Sequence, residues 1–302
     1  MRLSWKITRD DDGKTVKAIL KNRLNISGRL IKKLKSSGKI LLNSEPANIK
    51  TYVAEGDLIE ALVEFDEVND DIIPEKMDLD IIYEDDCIIA VNKPPDTVIH
   101  PTVRHFTGTM ANGLMYYLHS KGVKTLIRPV NRLDRNTTGI VVFALNPFIQ
   151  ESLAHQMKNK QYVKKYIGIV HGVVKEHTGT INVPIARVSD SIMLRHVTVD
   201  GAPSVTHYEV LERFDSATLI KFLPETGRTH QIRVHCQYIG HPLVGDELYS
   251  LPEYENNLKG LIGRHCLHSS LISFIHPLTN ENIVLSAPLP PDMEKVLEIL
   301  RK

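Results

Sequence analysis

Residues 131–140, NRLDRNTTGI, place Asp134 between Arg132 and Arg135, just ahead of the apolar run VVFAL. A carboxylate beside cations stays ionised, and can act as a nucleophile, accept a proton or stabilise positive charge. The same letters also read as a plain polar turn, since aspartate often bonds its own backbone there. Asn136-Thr137-Thr138 additionally fits a sugar acceptor, which matters only in a secreted chain. Two other residues could join Asp134. Tyr166 lies in YVKKYIGIV, where period-two alternation sets Lys164, Tyr166 and Gly168 on one face and Ile167 and Ile169 on the other. A half-buried strand tyrosine is its plain reading. Arg233 lies in THQIRVHCQYIG, positions 229–240, which reads as a helix capped by Thr229 and stopped by Gly240 and Pro242. His230, Arg233 and Gln237 share its polar face, and Ile232, Cys236 and Ile239 its apolar one. A surface arginine is the plain reading; a buried Arg233 needs a carboxylate partner.

Other chemistries lack their motifs. Of fourteen histidines, six (His230, His235, His241, His265, His268 and His276) lie close in sequence. Neither C-x-x-C nor H-E-x-x-H accompanies them, so they read as ordinary polar, RNA-compatible residues and no metal is expected. There is no G-x-G-x-x-G, no G-x-x-x-x-G-K and no G-x-S-x-G, so no nucleotide cofactor is expected and no serine elbow is present.

The elements that must position these residues are short. TVKAILKNRL (15–24) and ISGRLIKKLKSSGK (26–39) predict two helices, the second with Ser27 as N-cap and Gly38 as stop. Leu30, Ile31 and Leu34 form its apolar stripe. Arg29, Lys32 and Lys33, with Lys35 and Lys39 nearby, form a basic face that is either plain solvated surface or a phosphate contact. Strands follow at KILLN and DLIEALVEF, with a turn at Asn43-Ser44-Glu45-Pro46. Further on, CIIAVNKP, GIVVFAL and QYVKKYIGIVHG predict strands, and SVTHYEVLERF with ATLIKFL predicts a hairpin. Adjacent strand pairs with tight turns give an α+β fold with a largely antiparallel mixed sheet and flanking helices.

The 302 residues suggest two domains. Three scattered cysteines and no apolar leader point to a reducing, cytoplasmic setting, which excludes the sugar-acceptor reading. No apolar run reaches membrane-spanning length. Net charge is +1, but it is uneven: residues 1–63 hold 13 Lys+Arg against 7 Asp+Glu, and residues 64–100 hold 2 against 12. Residues 64–86, with eleven acids and one lysine, read as a solvated spacer.

RLDRNTTGIVVFA, KKYIGIV, ETGRTHQIRVHCQYIGHPLVGDELY and IIAVNKPPDTVIHP together resemble the RluA-type pseudouridine synthases, over roughly residues 78–290. TVKAILKNRLNISGRLIKKLKSSGKILLN…VAEGDLIE resembles the S-four-type (αL) RNA-binding domain, a frequent companion of that family. The resemblance implies a small α/β RNA-binding domain at 1–65, an acidic linker at 66–80 and a catalytic domain at 81–302. It implies isomerisation of uridine in structured RNA, ribosomal RNA favoured and transfer RNA possible, with no cofactor; a monomer is expected, since nothing in the sequence suggests an obligate oligomer. Asp134 takes the nucleophile's place, Arg233 that of the cation keeping it ionised, and Tyr166 that of the tyrosine stacked on uracil. Arg132 takes the place of the side chain that fills the gap left by the flipped nucleotide. Arg228 and His230 are expected at the RNA, as are Arg29, Lys32, Lys33, Lys35 and Lys39. Asn131 and Asp96 stand where the family often has histidine and glycine, which bears on substrate choice. Two other readings are open. One is a non-catalytic RNA-binding protein of this fold. The other is a glycoside-cleaving enzyme with Glu225 or Asp246 as second acid.

Overall fold

The computed structural model describes residues 1–63, 72–102, 105–123, 125–254, 258 and 260–302. At the N-terminal end, β1 (Arg2–Lys6) is followed by α1 (Val16–Asn22), α2 (Gly28–Ser36), β2 (Ile40–Leu42), β3 (Glu45–Pro46) and β4 (Leu58–Leu62). Both expected helices form. Ser27 caps α2 by accepting the Leu30 N–H at 3.1 Å, and Gly38 ends it at φ 65°. Asn43 and Ser44, both with positive φ, make the β2–β3 turn. The sheet order is β1-β4-β2-β3. Strand β1 was not expected: RLSWK carries a charge at each end, and only its pairing with β4 makes it a strand.

The larger unit contains β5 (Ile81–Glu84), β6 (Ile88–Lys93), α3 (Met110–Ser120), β7 (Arg128–Pro129), β8 (Thr138–Ala144), α4 (Pro147–Lys158) and β9 (Val163–His171). It continues with β10 (Thr178–Asn182), β11 (Ile185–Arg187), β12 (Arg195–Val197), β13 (Val205–Arg213), β14 (Ala217–Pro224), α5 (Gln231–Tyr238), β15 (Leu267–Ile275), β16 (Asn282–Ser286) and α6 (Pro291–Leu300). One large sheet runs β10-β13-β14-β9-β15-β8-β6-β5, with β16 beside β15 and β7 beside β8. Its described pairings are antiparallel except β8 with β15. The expected hairpin is β13–β14, and GIVVFAL supplies all of β8 but its first residue; the strand is buried at every position because it lies inside the sheet.

Gly139 is required where β8 meets β15. Its φ is 105°, and a Cβ there would collide with the backbone oxygen of Ser269. The Asp134 loop therefore enters the sheet at a point only glycine can occupy.

One apolar cluster joins the two units, linking Ile19, Leu30 and Ile59 to Phe148, Leu153 and Phe274. The Ser27 hydroxyl also donates to Glu151 of α4 at 2.6 Å. Of the acidic spacer, 64–71 lie outside the described residues. The chain from Ile72 onward packs on α3: Asn112 donates to the Ile73 carbonyl at 2.7 Å, and Met77 lies against Gly113.

Candidate active site

Asp134 sits in the loop between β7 and β8, and nearly every residue around it is tied down. The Asn131 amide donates to Ile140 O at 3.0 Å and accepts from Val142 N at 2.8 Å, so the side chain pairs with β8 as a strand backbone would. Thr137 N donates to the Asp134 carbonyl at 3.1 Å, and the Thr137 hydroxyl meets His265 at 2.8 Å. Arg264 donates to Asn136 O at 3.1 Å while gripping Asp292 with two bonds of 2.7 and 2.8 Å. Below the loop the ammonium of Lys93, fully buried, donates to the carbonyls of Pro94, Thr97 and Arg135 at 2.8–2.9 Å. Burial, then the charge of Arg264, pushes Lys93 down to about 7, and the charge of Asp134 opposes this.

Arg135 turns away from Asp134 and pairs with Asp96 at 2.7 Å on the surface. Asp96 has φ 57°, which suits the glycine expected there and which aspartate tolerates. That departure has therefore gained a carboxylate held by Arg135.

The cation near Asp134 comes from α5. Arg233, its side chain 6% exposed, gives Nε and Nη2 to Asp246 at 2.7 Å each and turns Nη1 to Asp134 Oδ2 at 3.4 Å. Asp246, 0% exposed, is thus the required carboxylate partner, and Asp134 takes the remaining N–H. Burial works against the Arg233 charge, but the bonds from Asp246 and the nearby carboxylates outweigh it and raise its pKa.

The helix differs from its sequence reading in two respects. It starts at Gln231 and Thr229 does not cap it; His230 occupies the N-cap in left-handed conformation, φ 58°. The Gln231 side chain instead closes the 226–231 turn, accepting from the Thr226 hydroxyl at 2.7 Å and Arg228 N at 3.0 Å. Nor is α5 two-faced, since Gln231 through Cys236 are all buried. Polar side chains on it find dedicated partners, as His235 does with Thr206 at 2.9 Å, so burial no longer follows the amphipathic pattern.

Tyr166 on β9 lies between Phe222 and Ser269 of the neighbouring strands and is buried, 8% exposed. Burial pushes its phenol well above the usual value, and the Asp134 charge pushes the same way. At neutral pH it is therefore a neutral donor and not a phenolate base. Asp134, Tyr166 and Arg233 line one cavity of about 390 Å³, with Arg132, Arg228 and His230 also in its lining. That volume is in the ~300–1,000 Å³ range of small-molecule sites. Arg132 and Arg228 are exposed. Arg29, Lys32, Lys33 and Lys35 are exposed on α2, with half-buried Lys39 after it, and none lines this cavity.

The histidine run does not converge. His235, His265, His268 and His276 are buried, each with its own partner; His268, for example, meets the Thr138 hydroxyl at 2.9 Å. These four are internal posts, more deeply buried than the ordinary polar residues the sequence suggested. Sequence reasoning also missed Lys93, Arg264 and Tyr249, and met Asp246 only as a rival acid. A lone lysine closing an apolar strand, CIIAVNK, was the available signal for Lys93. Tyr249 carries Arg233 5.0 Å from its ring centre and bonds His230, yet lies sixteen residues beyond Arg233 in sequence.

Comparisons with known proteins identify the family. The family described as RNA pseudouridylate synthase matches residues 87–238, and the RluD ribosomal pseudouridine synthase N-terminal domain matches residues 3–59. The chain is 41% identical to the RNA pseudouridine synthase YjbO of Bacillus subtilis, over 91% of this chain and 95% of that one. It is 36% identical to ribosomal large subunit pseudouridine synthase D of Neisseria meningitidis, over 87% of this chain and 72% of that one. The solved structure of human RNA pseudouridylate synthase domain containing 1 superposes with TM-score 0.57 at 26% identity, covering 74% of this chain and 95% of that one. No helix among the described residues is long and apolar enough to cross a membrane. The chain belongs to the RluA-type RNA pseudouridine synthases, isomerases acting on RNA, and carries an S-four-like RNA-binding domain at its N-terminal end.

Proposed function

We propose that this chain isomerises a uridine in structured RNA, ribosomal RNA before transfer RNA, with Asp134 as nucleophile and no bound cofactor. The observation that carries the reading is the Asp134 carboxylate, 26% exposed in the cavity, with Arg233 reaching one of its oxygens while Asp246 clamps that arginine. A clamped cation keeps a carboxylate charged and aimed when bound RNA removes water. The reaction breaks the bond from C1′ to N1, joins C1′ to C5, and moves the C5 proton away while N1 gains one. Atoms and redox state balance, so no oxidant or energy source is consumed. Asp134 either adds to C1′ or stabilises its positive charge and takes a proton; both routes need the ionised form.

The target base leaves its stack, which costs a few kcal/mol and is cheaper in loops. Exposed Arg132 fills the vacated space. Neutral Tyr166 supports the uracil and can pass a proton without becoming charged. Ribosomal RNA is favoured because the Neisseria relative is named for it and the N-terminal match is to a ribosomal synthase's domain. The basic face of α2 adds phosphate contacts. The glycoside-cleaving alternative loses support because Asp246 is consumed by Arg233, while Glu225 pairs with Lys160 and His207 on the surface.

The test uses RNA carrying tritium at uridine C5. The wild type should release it without added metal or nucleotide, and Asp134→Asn should not. Equal release by both would remove Asp134 as nucleophile. No release by the wild type on any cellular RNA would leave the binding-protein reading.

A further inference from the structure

Asp134 faces two donors. Besides Arg233 Nη1, His230 Nε2 stands 3.8 Å from the same oxygen, Oδ2. No hydrogen bond reaches Oδ1 among the described residues. The placement of His230 is costly, because a non-glycine residue at φ 58° carries roughly 1–3 kcal/mol of backbone strain. Strain of this kind persists where surrounding structure holds it. Here Val234 N donates to the His230 carbonyl at 2.9 Å, and the ring is seated edge-on against Tyr249, 5.6 Å between centres.

Tyr249 also decides which ring nitrogen bears the proton. Its hydroxyl accepts the backbone N–H of Arg195 at 3.0 Å and lies 2.7 Å from His230 Nδ1. A hydroxyl has one hydrogen to give, and buried Tyr249 has no other acceptor among the described residues. Were Nδ1 the donor, that hydrogen would be orphaned, at a cost of about 1–3 kcal/mol. Every group is satisfied if Tyr249 donates to Nδ1, which leaves the proton on Nε2, aimed at Asp134.

We infer, on the basis of the activity proposed above, that His230 is a positioning residue: Tyr249 holds it as the neutral Nε2–H tautomer, so that it and Arg233 anchor Asp134 Oδ2 and leave Oδ1 for the nucleoside. The groups facing the imidazole are Asp134, Arg233, Asp246, Arg195 and Tyr249; burial is the largest influence and favours the neutral ring. The 3.8 Å gap shortens when bound RNA excludes water, as hydrogen bonds in unliganded active sites commonly do. One residue, Tyr249, thus serves both donors, its hydroxyl on His230 and its ring face against Arg233.

The test combines labelling and kinetics on the full chain. In protein labelled with ¹⁵N-histidine, the His230 resonances, assigned by their loss in His230→Asn, should show an unprotonated Nδ1 and a protonated Nε2 at neutral pH. A protonated Nδ1 overturns the inference. Asparagine tolerates the left-handed backbone and keeps a polar group near Nδ1 but has nothing at Nε2. His230→Asn should lower kcat for tritium release ~10- to 100-fold, the usual worth of a hydrogen bond to a charged group, with KM unchanged. Tyr249→Phe should also lower kcat, and the double variant should be no slower than His230→Asn alone. An unchanged kcat in His230→Asn, or fully additive losses, overturns it. A wild type that releases no tritium fails the underlying activity instead, and the tautomer still decides the hydrogen-bond arrangement.

Discussion

Replacing Asp246 with asparagine should damage the protein twice, in fold and in catalysis. The two bonds of 2.7 Å from Arg233 are its clamp, and both partners are buried. Removing one member of a buried pair typically costs about 3–5 kcal/mol, because the other charge is left uncompensated. For a domain of this size, ~2–4 °C in Tm accompanies each kcal/mol, so the melting point should fall roughly 6–20 °C. The second loss follows from geometry. Without the clamp, Arg233 Nη1 is no longer held in a fixed direction against Asp134 Oδ2, so the carboxylate loses its aim. Tritium release should fall at least ~10²-fold, the scale of removing one preorganised electrostatic interaction. Differential scanning calorimetry and single-turnover release measure the two effects. The control is Arg233→Met with Asp246→Leu, which should recover most of the stability, since well-packed apolar replacements of buried pairs are often neutral, and none of the activity. If Asp246→Asn melts within ~2 °C of wild type, or if the control pair is additive in stability, the clamp does not hold Arg233 and the reasoning fails.

Further outcomes concern the supports of the site. Lys93 is pushed down to about 7 in the fold, whereas an unfolded lysine titrates near ~10.4. Between those values the unfolded chain holds a proton that the folded chain lacks, so stability should rise with pH from about 7 to 10. Urea titrations of Lys93→Met should lack this rise; parallel curves for the two proteins would refute it. Gly139→Ala should lose about 1–3 kcal/mol from the left-handed conformation alone and more from the collision with Ser269, read as a lowered urea midpoint. Arg135→Ala removes an exposed pair with Asp96, so tritium release should match wild type; a large loss would mean that Arg135 serves Asp134 after all. Changing Arg29, Lys32 and Lys35 to glutamine should flatten the plot of log affinity against log salt by ~0.7–0.9 for each phosphate no longer neutralised, and an unchanged slope would remove α2 from the interface.

Much of this protein is legible in its residues taken one stretch at a time. The two N-terminal helices with their Ser27 cap and the β13–β14 hairpin follow from spacing, because their caps and turn lie close in sequence, and the buried strand β8 follows from its continuous apolar run although its partners β6 and β15 are distant. The Asp134 loop and the polar helix carrying Arg233 could likewise be marked as places able to do chemistry. Tertiary structure decided the rest. Strand β1 exists through β4, more than fifty residues away, and α5 is buried from Gln231 to Cys236 although its sequence looks half-exposed. Which carboxylate Arg233 grips, which way Arg135 turns and which nitrogen of His230 bears a proton depend on Asp246, Asp96 and Tyr249. Asp246 and Tyr249 come from the loop after α5 and Asp96 from the loop after β6, and hydrogen bonding acts over about 3 Å of space, blind to distance along the chain. The sequence by itself determined which groups were available for the reaction; only the folded chain determined which of them meet.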